Sequence, residues 1–385
     1  MVAMPASAFT TPTQSQGLSQ GPTPYASLDP AAVLSALDAI GFRGDGRILQ
    51  LNSYENRVFQ VHLEDGTAVV AKFYRPGRWS DAQILEEHAF AIELAAADVP
   101  VVAPLTLTVD NSVVSALAAD DPSRAGETGR ATLAGEPPTL AHVHVQDAQH
   151  RVAVTPRCAG RGPNLEDLSV LRWLGRYLGR LHTEGARQPF RHRRTLDVQT
   201  FGRAPRSRIA ELEAIDEAAR DAWLHVCDQA IAAVEQAFDR AGDVSSLRLH
   251  GDFHPGNVLW RDEGPHIVDL DDACQGPAVQ DLWMLLPGQA EASTLELDAL
   301  LEGYAMFRDF DRREIQLIEP LRTLRMIHHS AWIADRWGRP GVSGGVSLVR
   351  HAGLLGAAGH AVARTDRADG GRLSYAASND VTRFT

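Results

Sequence analysis

The chain has 385 residues and a formal net charge of −12. That length holds two lobes with a sizeable core, and that charge disfavours a nucleic-acid partner. No apolar run approaches the ~20 residues of a membrane span, and Cys158, Cys227 and Cys274 offer neither a disulfide framework nor zinc spacing, which fits a reducing cytoplasm.

Residues 1–27 hold Ser, Thr, Gln, Pro and Gly but no charged side chain, and read as a disordered tail rather than a signal peptide. Asp29-Pro30 opens a helix whose apolar face is Val33, Leu34, Leu37 and Ile40, and Gly41 ends it. Strand-like runs follow at Arg47–Leu51, Arg57–Leu63 and Ala68–Phe73, the last two joined by the hairpin turn Glu64-Asp65-Gly66-Thr67. Ser80-Asp81-Ala82-Gln83 is a capping box that starts a helix through about Ala97. Val99–Leu105 and Asn111–Ala116 read as short strands, residues 118–138 as an inserted loop, and Val143–Val154 as β structure again. Pro156–Pro163 reads as a hinge. Asn164 is expected to cap a helix carrying Leu168, Leu171, Leu174, Leu178 and Leu181. Ser207–Arg240 and Leu295–Trp337 are expected to be helical, and residues 338–385 form a Gly/Ala/Arg-rich tail. The order predicts an α+β, bilobal, protein-kinase-like fold. A small β-rich N-lobe (28–156) precedes a larger, mainly helical C-lobe (157–337), with a ligand cleft between them.

The segment Leu249-His250-Gly251-Asp252-Phe253-His254-Pro255-Gly256-Asn257-Val258, followed by Val268-Asp269-Leu270-Asp271-Asp272, carries the chemistry. An Asp, an Asn five residues later and an Asp twelve residues after that have the spacing of a kinase catalytic loop and its metal-binding strand. In that pattern Asp252 accepts the proton of an attacking hydroxyl, and Asn257 and Asp269 hold Mg²⁺ on the phosphates of ATP. The bland alternatives are a turn-capping Asp, turn chemistry after Pro255-Gly256 and a strand-end Asp. Lys72, on a predicted strand, can reach phosphates if a helix carboxylate holds it, whereas most lysines are solvated.

With Ser53-Tyr54-Glu55-Asn56-Arg57-Val58, Lys72-Phe73-Tyr74-Arg75-Pro76, Arg78-Trp79, Gln83–His88, Arg176–His182, Leu247–Trp260, Val268–Ala273, Gly276–Leu286 and Ile318–Arg322, the chain resembles the bacterial stress-response kinase A family. Those proteins are serine/threonine protein kinases with the fold of aminoglycoside phosphotransferases and choline kinases. The resemblance covers most of Asp29–Trp337. It implies Glu87, rather than Glu86, as the partner of Lys72, and Ser53 as a phosphate donor in a turn that lacks a kinase's glycines. It implies that Asp281 braces the catalytic loop. His250 is expected to bond loop backbone, and His254 has a weak case for touching substrate. Asp271 and Asp272 add negative charge near the metal, or one is simply solvated. Cys274 is expected to be a small buried hydrophobe.

The loop 118–138 and the tail after Trp337 depart from the family pattern. The leading expectation is a monomeric, cytoplasmic Mg²⁺- and ATP-dependent serine/threonine protein kinase in stress response. Its partner is a protein Ser or Thr, including its own Ser7, Thr10, Thr11, Thr13, Ser15 and Ser19, with no nucleic-acid or membrane partner. The alternative is a small-molecule kinase acting on an aminoglycoside, amino alcohol or sugar, favoured if Glu166, Asp167, Asp271 and Asp272 build an acidic acceptor pocket. A non-catalytic nucleotide-binding scaffold is a third reading, disfavoured because Lys72, Asp252 and Asn257 are all present.

Overall fold

The computed structural model describes Tyr25 and residues 27–108, 138–287 and 290–335, apart from positions 54, 146, 147, 214 and 216. The tail before Tyr25, the predicted strand Asn111–Ala116, the inserted loop up to 137 and the tail after Trp337 lie outside the described residues.

Asp29 caps helix α1 (Pro30–Asp38) by accepting from Ala32 N at 2.8 Å, and Gly41 leaves it at φ +92°. Strands β1 (Gly44–Leu51), β2 (Arg57–Leu63), β3 (Ala68–Phe73), β4 (Ala141–Val145) and β5 (Ala148–Pro156) form one antiparallel sheet in the order β1-β2-β3-β5-β4. Alternation decides which face each residue serves. Phe59, Val61, Val69, Ala71 and Phe73 pack with Val33 and Leu37 of α1 and with Ile40 just after it, so Lys72, between Ala71 and Phe73, points from the other face. The run expected as continuous β sequence at Val143–Val154 is a tight β4–β5 hairpin. Val99–Leu105 is not a strand: Val101 makes one isolated bridge to Ile267, and Leu105 N donates to Val154 O at 2.7 Å.

Helix α2 (Asp81–Ala96) starts at the predicted capping box, in which Gln83 N donates to Ser80 Oγ at 3.3 Å and Ser80 N to Gln83 Oε1 at 2.9 Å. Its first half packs Ile84 with Tyr74, Trp79 and Ala153, while Phe90, Ala91 and Leu94 join the core of the helical region. The helix therefore belongs to both cores and carries Glu87 between them.

Helix α3 (Leu168–Gly185) buries Leu171, Leu174, Leu178 and Leu181 completely. Its cap is Asp167, which accepts from Ser169 N at 2.8 Å; Asn164 instead accepts from Glu166 N at 3.2 Å, one turn outside the helix. The helical stretch expected over Ser207–Arg240 is two helices, α4 (Ala204–Ala210) and α5 (Glu217–Ala241), preceded by a π turn at Gln199–Arg203. Strand β6 (Leu247–Leu249), the hairpin β7 (Val258–Arg261) and β8 (Gly264–Ile267), and β9 (Cys274–Gly276), which pairs with β6, frame the catalytic segment. Helices α6 (Val279–Trp283), α7 (Ala290–Tyr304) and α8 (Ile318–Ala334) complete the fold. The stretch expected as helical from Leu295 to Trp337 is broken by a 3₁₀ turn at Arg312–Leu317, where Asp311 caps Arg313 N at 3.0 Å. Helices α3 and α7 touch at backbone distance: a Cβ on Gly175 would lie 2.1 Å from Leu300 O, and one on Gly303 2.0 Å from Arg172 O. Among the described residues no helix is long and apolar enough to cross a membrane.

Candidate active site

The loop between β6 and β7 holds Asp252, and its shape is set by one buried carboxylate. Asp281 of α6 accepts from His250 N and Gly251 N, both at 2.9 Å, and from His182 Nε2 at 3.1 Å; His182 Nδ1 meets Tyr304 Oη at 3.0 Å. Gly251 turns the chain at φ +81°, where a Cβ would lie 2.2 Å from Asp272 O and 3.0 Å from Cys274 Sγ. His250 Nε2 bonds Val268 O at 3.0 Å, and Val268 N donates to Asn257 O at 3.0 Å. Asp281 thus braces the loop as the resemblance implied, and His250, as expected, bonds backbone, tying the loop to the segment before Asp269.

Asn257 is buried and donates Nδ2 to the Asp252 carbonyl at 2.9 Å, which leaves Oδ1 as a free acceptor. Asp269 sits in the left-handed region at φ +62°, costly for a non-glycine residue and typical of functional sites. Its side chain is half exposed and receives Lys72 Nζ at 3.0 Å. Lys72 also pairs with Asp271 Oδ1 at 2.8 Å. Burial opposes the lysine's charge, but Asp269 and Asp271 outweigh it and hold Nζ well above its ordinary pKa.

The partner expected for Lys72, Glu87, does not make that ion pair, which goes to Asp269 and Asp271 instead. Glu87 is buried behind them, where desolvation, opposed by Lys72, pushes its carboxyl up to about 7. Glu86 reaches the other way and accepts from His192 N and Arg193 N at 2.8 Å. Ser53 is exposed in the β1–β2 turn and accepts from Asn56 N at 3.3 Å. His254 folds back on its own loop, taking Gly256 N on Nδ1 at 3.0 Å, and lies 3.6 Å from Asp252 Oδ2.

Neither Asp271 nor Asp272 is simply solvated. Asp271 is buried and also receives Asn56 Nδ2; burial alone would raise its pKa, but Lys72 and Arg78 hold it below the usual carboxylate range. Asp272 receives Arg78 Nη2 on both oxygens at 2.9 and 3.0 Å, and Arg194 Nη2 at 2.9 Å. Those guanidinium groups overcome desolvation and keep it well below that range. Arg193 donates to the carbonyls of Ala273 and Asp271 and lies 4.1 Å over the Trp79 ring. The largest omission from the sequence reading is Arg325 of α8, whose Nη2 is 2.6 Å from Asp252 Oδ1. Three residues beyond the quoted Ile318–Arg322 motif, it shares a helix face with Arg322, the only signal that could have raised it.

Among the described residues no group of three or more His, Cys, Asp or Glu side chains could enclose a metal. A half-exposed Asp and an Asn oxygen fit a hard cation that keeps water and takes most of its other ligands from phosphate, as Mg²⁺ does. Glu166 and Asp167 are exposed at the start of α3, with Asp167 engaged in capping it. With Asp271 and Asp272 engaged by Lys72, Arg78 and Arg194, the four acids do not assemble an acidic pocket.

The profile of the phosphotransferase enzyme family matches residues 47–318. Stress response kinase A of Escherichia coli (strain K12) is 40% identical over 316 residues, 82% of this chain and 86% of its own length. The serine/threonine protein kinase RdoA of Salmonella typhimurium is 39% identical over the same shares. An amicoumacin kinase solved with AMP-PNP and Ca²⁺ has a TM-score of 0.64 at 16% identity, over 94% of this chain and 98% of its own. A microcompartment-associated aminopropanol kinase has a TM-score of 0.61 at 16% identity, over 88% and 98%; at such identities the likeness speaks for the fold. The five-stranded antiparallel sheet, the helical region behind it and these matches together make the chain a phosphotransferase, a member of the stress response kinase A family.

Proposed function

We propose that the chain is a Mg-ATP-dependent serine/threonine protein kinase acting in stress response. The observation that carries this reading is that Lys72 meets Asp269 and Asn257 meets the Asp252 carbonyl, with Asp271 and Asp272 already paired to cations. Asp252 orients the acceptor hydroxyl and takes its proton as the oxygen attacks the γ-phosphorus of ATP. Asn257 Oδ1 and the Asp269 carboxylate hold Mg²⁺, which neutralises phosphate charge when bound. Lys72 exchanges its aspartate partners for the α- and β-phosphates, and Glu87 behind it keeps a negative charge within reach as its proton leaves. A cationic aminoglycoside would find no unpaired acid among Asp271 and Asp272, which supports the protein acceptor over the small-molecule one.

The test is transfer of radiolabelled phosphate from ATP to a generic protein, to the enzyme itself and to a panel of aminoglycosides, amino alcohols and sugars, with Asp252→Asn as control. The reading expects phospho-Ser or phospho-Thr on protein, and phosphosite mass spectrometry would place autophosphorylation among Ser7, Thr10, Thr11, Thr13, Ser15 and Ser19. Rapid labelling of a small molecule with none on protein would replace it by the small-molecule reading.

A further inference from the structure

The base Asp252 does not stand alone in the cleft: an arginine from a distant helix is already on it. Arg325 places Nη2 2.6 Å from Oδ1, and its side chain is about one-third exposed (34%). Among the described residues Asp252 is its one charged partner. A guanidinium has five donors in a flat fork, and this part-exposed one meets Asp252 as a close ion pair rather than through a hydrogen bond, so its donors are not committed there. An acceptor hydroxyl must come within ~2.6–3.2 Å of the Asp252 carboxylate for proton transfer. Whatever carries that hydroxyl is therefore laid against Arg325.

Around this point the other cations are committed elsewhere: Lys72 pairs with Asp269 and Asp271, and Arg78 and Arg194 with Asp272, which leaves Arg325 as the cation set directly against Asp252. The Arg193 guanidinium donates to the carbonyls of Ala273, Gln83 and Asp271. The imidazoles nearby add no charge at neutral pH: desolvation lowers His254 and takes His328 down to about 3. In a chain of net charge −12, Arg325 is thus the part-exposed cation beside Asp252.

We propose that Arg325 is a specificity residue that binds a carboxylate beside the hydroxyl being phosphorylated, so that this kinase selects Ser or Thr flanked by acidic residues. The inference rests on the protein-kinase reading and names its substrate class. Arg325 is suited to it because it pairs bidentately with carboxylates, which Lys does not. Its place on rigid α8 sets the register between carboxylate and hydroxyl, and the same cation repels amines, which disfavours aminoglycosides and Lys-rich peptides.

The experiment uses the full-length enzyme and two Ser peptides identical except that Glu or Lys flanks the Ser. kcat/KM is measured for wild type, Arg325→Ala and Arg325→Glu, with calorimetric Mg-nucleotide affinity as the check that each variant is folded. Wild type is expected to prefer the Glu peptide by about 10- to 100-fold, the worth of one charged hydrogen-bonded pair. Arg325→Ala should collapse that ratio towards one and Arg325→Glu should invert it, which a merely structural role for Arg325 would not do. Equal use of both peptides by wild type, or a preference that Arg325→Ala retains, overturns this inference and leaves the protein-kinase reading standing. Labelling of neither peptide nor any protein by wild type overturns both.

Discussion

At Asp252 the roles of chemistry and binding can be separated. Asp252→Asn keeps size and hydrogen bonding but loses the proton acceptor and the charge that Arg325 faces. Nucleotide affinity is expected to survive while turnover falls ~10²–10⁴-fold. Lys72→Ala should weaken both, because the lysine meets Asp269 and Asp271 at 3.0 and 2.8 Å and on the proposed reading turns to the phosphates. Calorimetric affinity beside initial rates checks the pair, and wild-type turnover in Asp252→Asn would remove the catalytic-loop assignment. Asp269→Ala should abolish Mg²⁺-dependent turnover; a variant with a normal Mg²⁺ titration would show that the cation is held elsewhere. That these three residues share one loop and the strand end after it was legible in sequence because Asp252, Asn257 and Asp269 are close along the chain. Arg325 was not, since 73 positions separate it from Asp252 and only tertiary folding brings them together. The partner of Lys72 was misassigned for a related reason: on α2, Glu87 has the spacing, yet Asp271 beside the metal strand has the shorter reach.

Elements with strong local punctuation were read well. The limits of β2 and β3 and the Ser80/Gln83 capping box follow from alternation and cap chemistry, which act over a few residues. The breaks inside long helical stretches were missed because helical periodicity continues across them. The Arg312–Leu317 turn illustrates the cause: it is held by the Asp311 cap and by Glu314 Oε2, which accepts from Val279 N at 2.8 Å, a contact invisible to any local pattern. Burial pushes Glu314 up to about 7 from 4.5. Between those values the folded protein holds a proton that the unfolded chain has released, so stability falls as pH rises through that window. Glu314→Gln keeps an acceptor for Val279 N and should flatten the decline; thermal melts from pH 4 to 8 that stay parallel for the two proteins would refute it. The α3–α7 contact gives a second case. Gly175→Ala inserts a methyl 2.1 Å from Leu300 O, and forcing the helices apart should cost about 1–3 kcal/mol by denaturant unfolding. A variant as stable as wild type would mean that the pair can slide.

Across the whole molecule the sheet and the helical region are tied at the cleft rather than merely adjacent. Lys72 to Asp269, Asn56 to Asp271, Arg78 to Asp272 and Trp332 Nε1 to Glu55 all join residues far apart in sequence. The α+β, two-part order was legible because β-type and helix-type patterns segregate along the chain. These ties were not, because each joins residues far apart in sequence that only tertiary folding brings together. Cys274 lies under this junction, fully buried in β9 and in the path of any side chain added at Gly251. Desolvation pushes its thiol up to about 12, does the same for Cys227, and raises Cys158. Oxidants and alkylating agents attack the thiolate, so the buried thiols of Cys227 and Cys274 are poor targets while the chain is folded. Kinase activity should therefore persist through an hour of iodoacetamide or dilute peroxide at pH 7.5, with mass spectrometry finding Cys227 and Cys274 unmodified until denaturant is added. Turnover that depends on no reactive thiol is expected to outlast the peroxide burdens that silence kinases dependent on one.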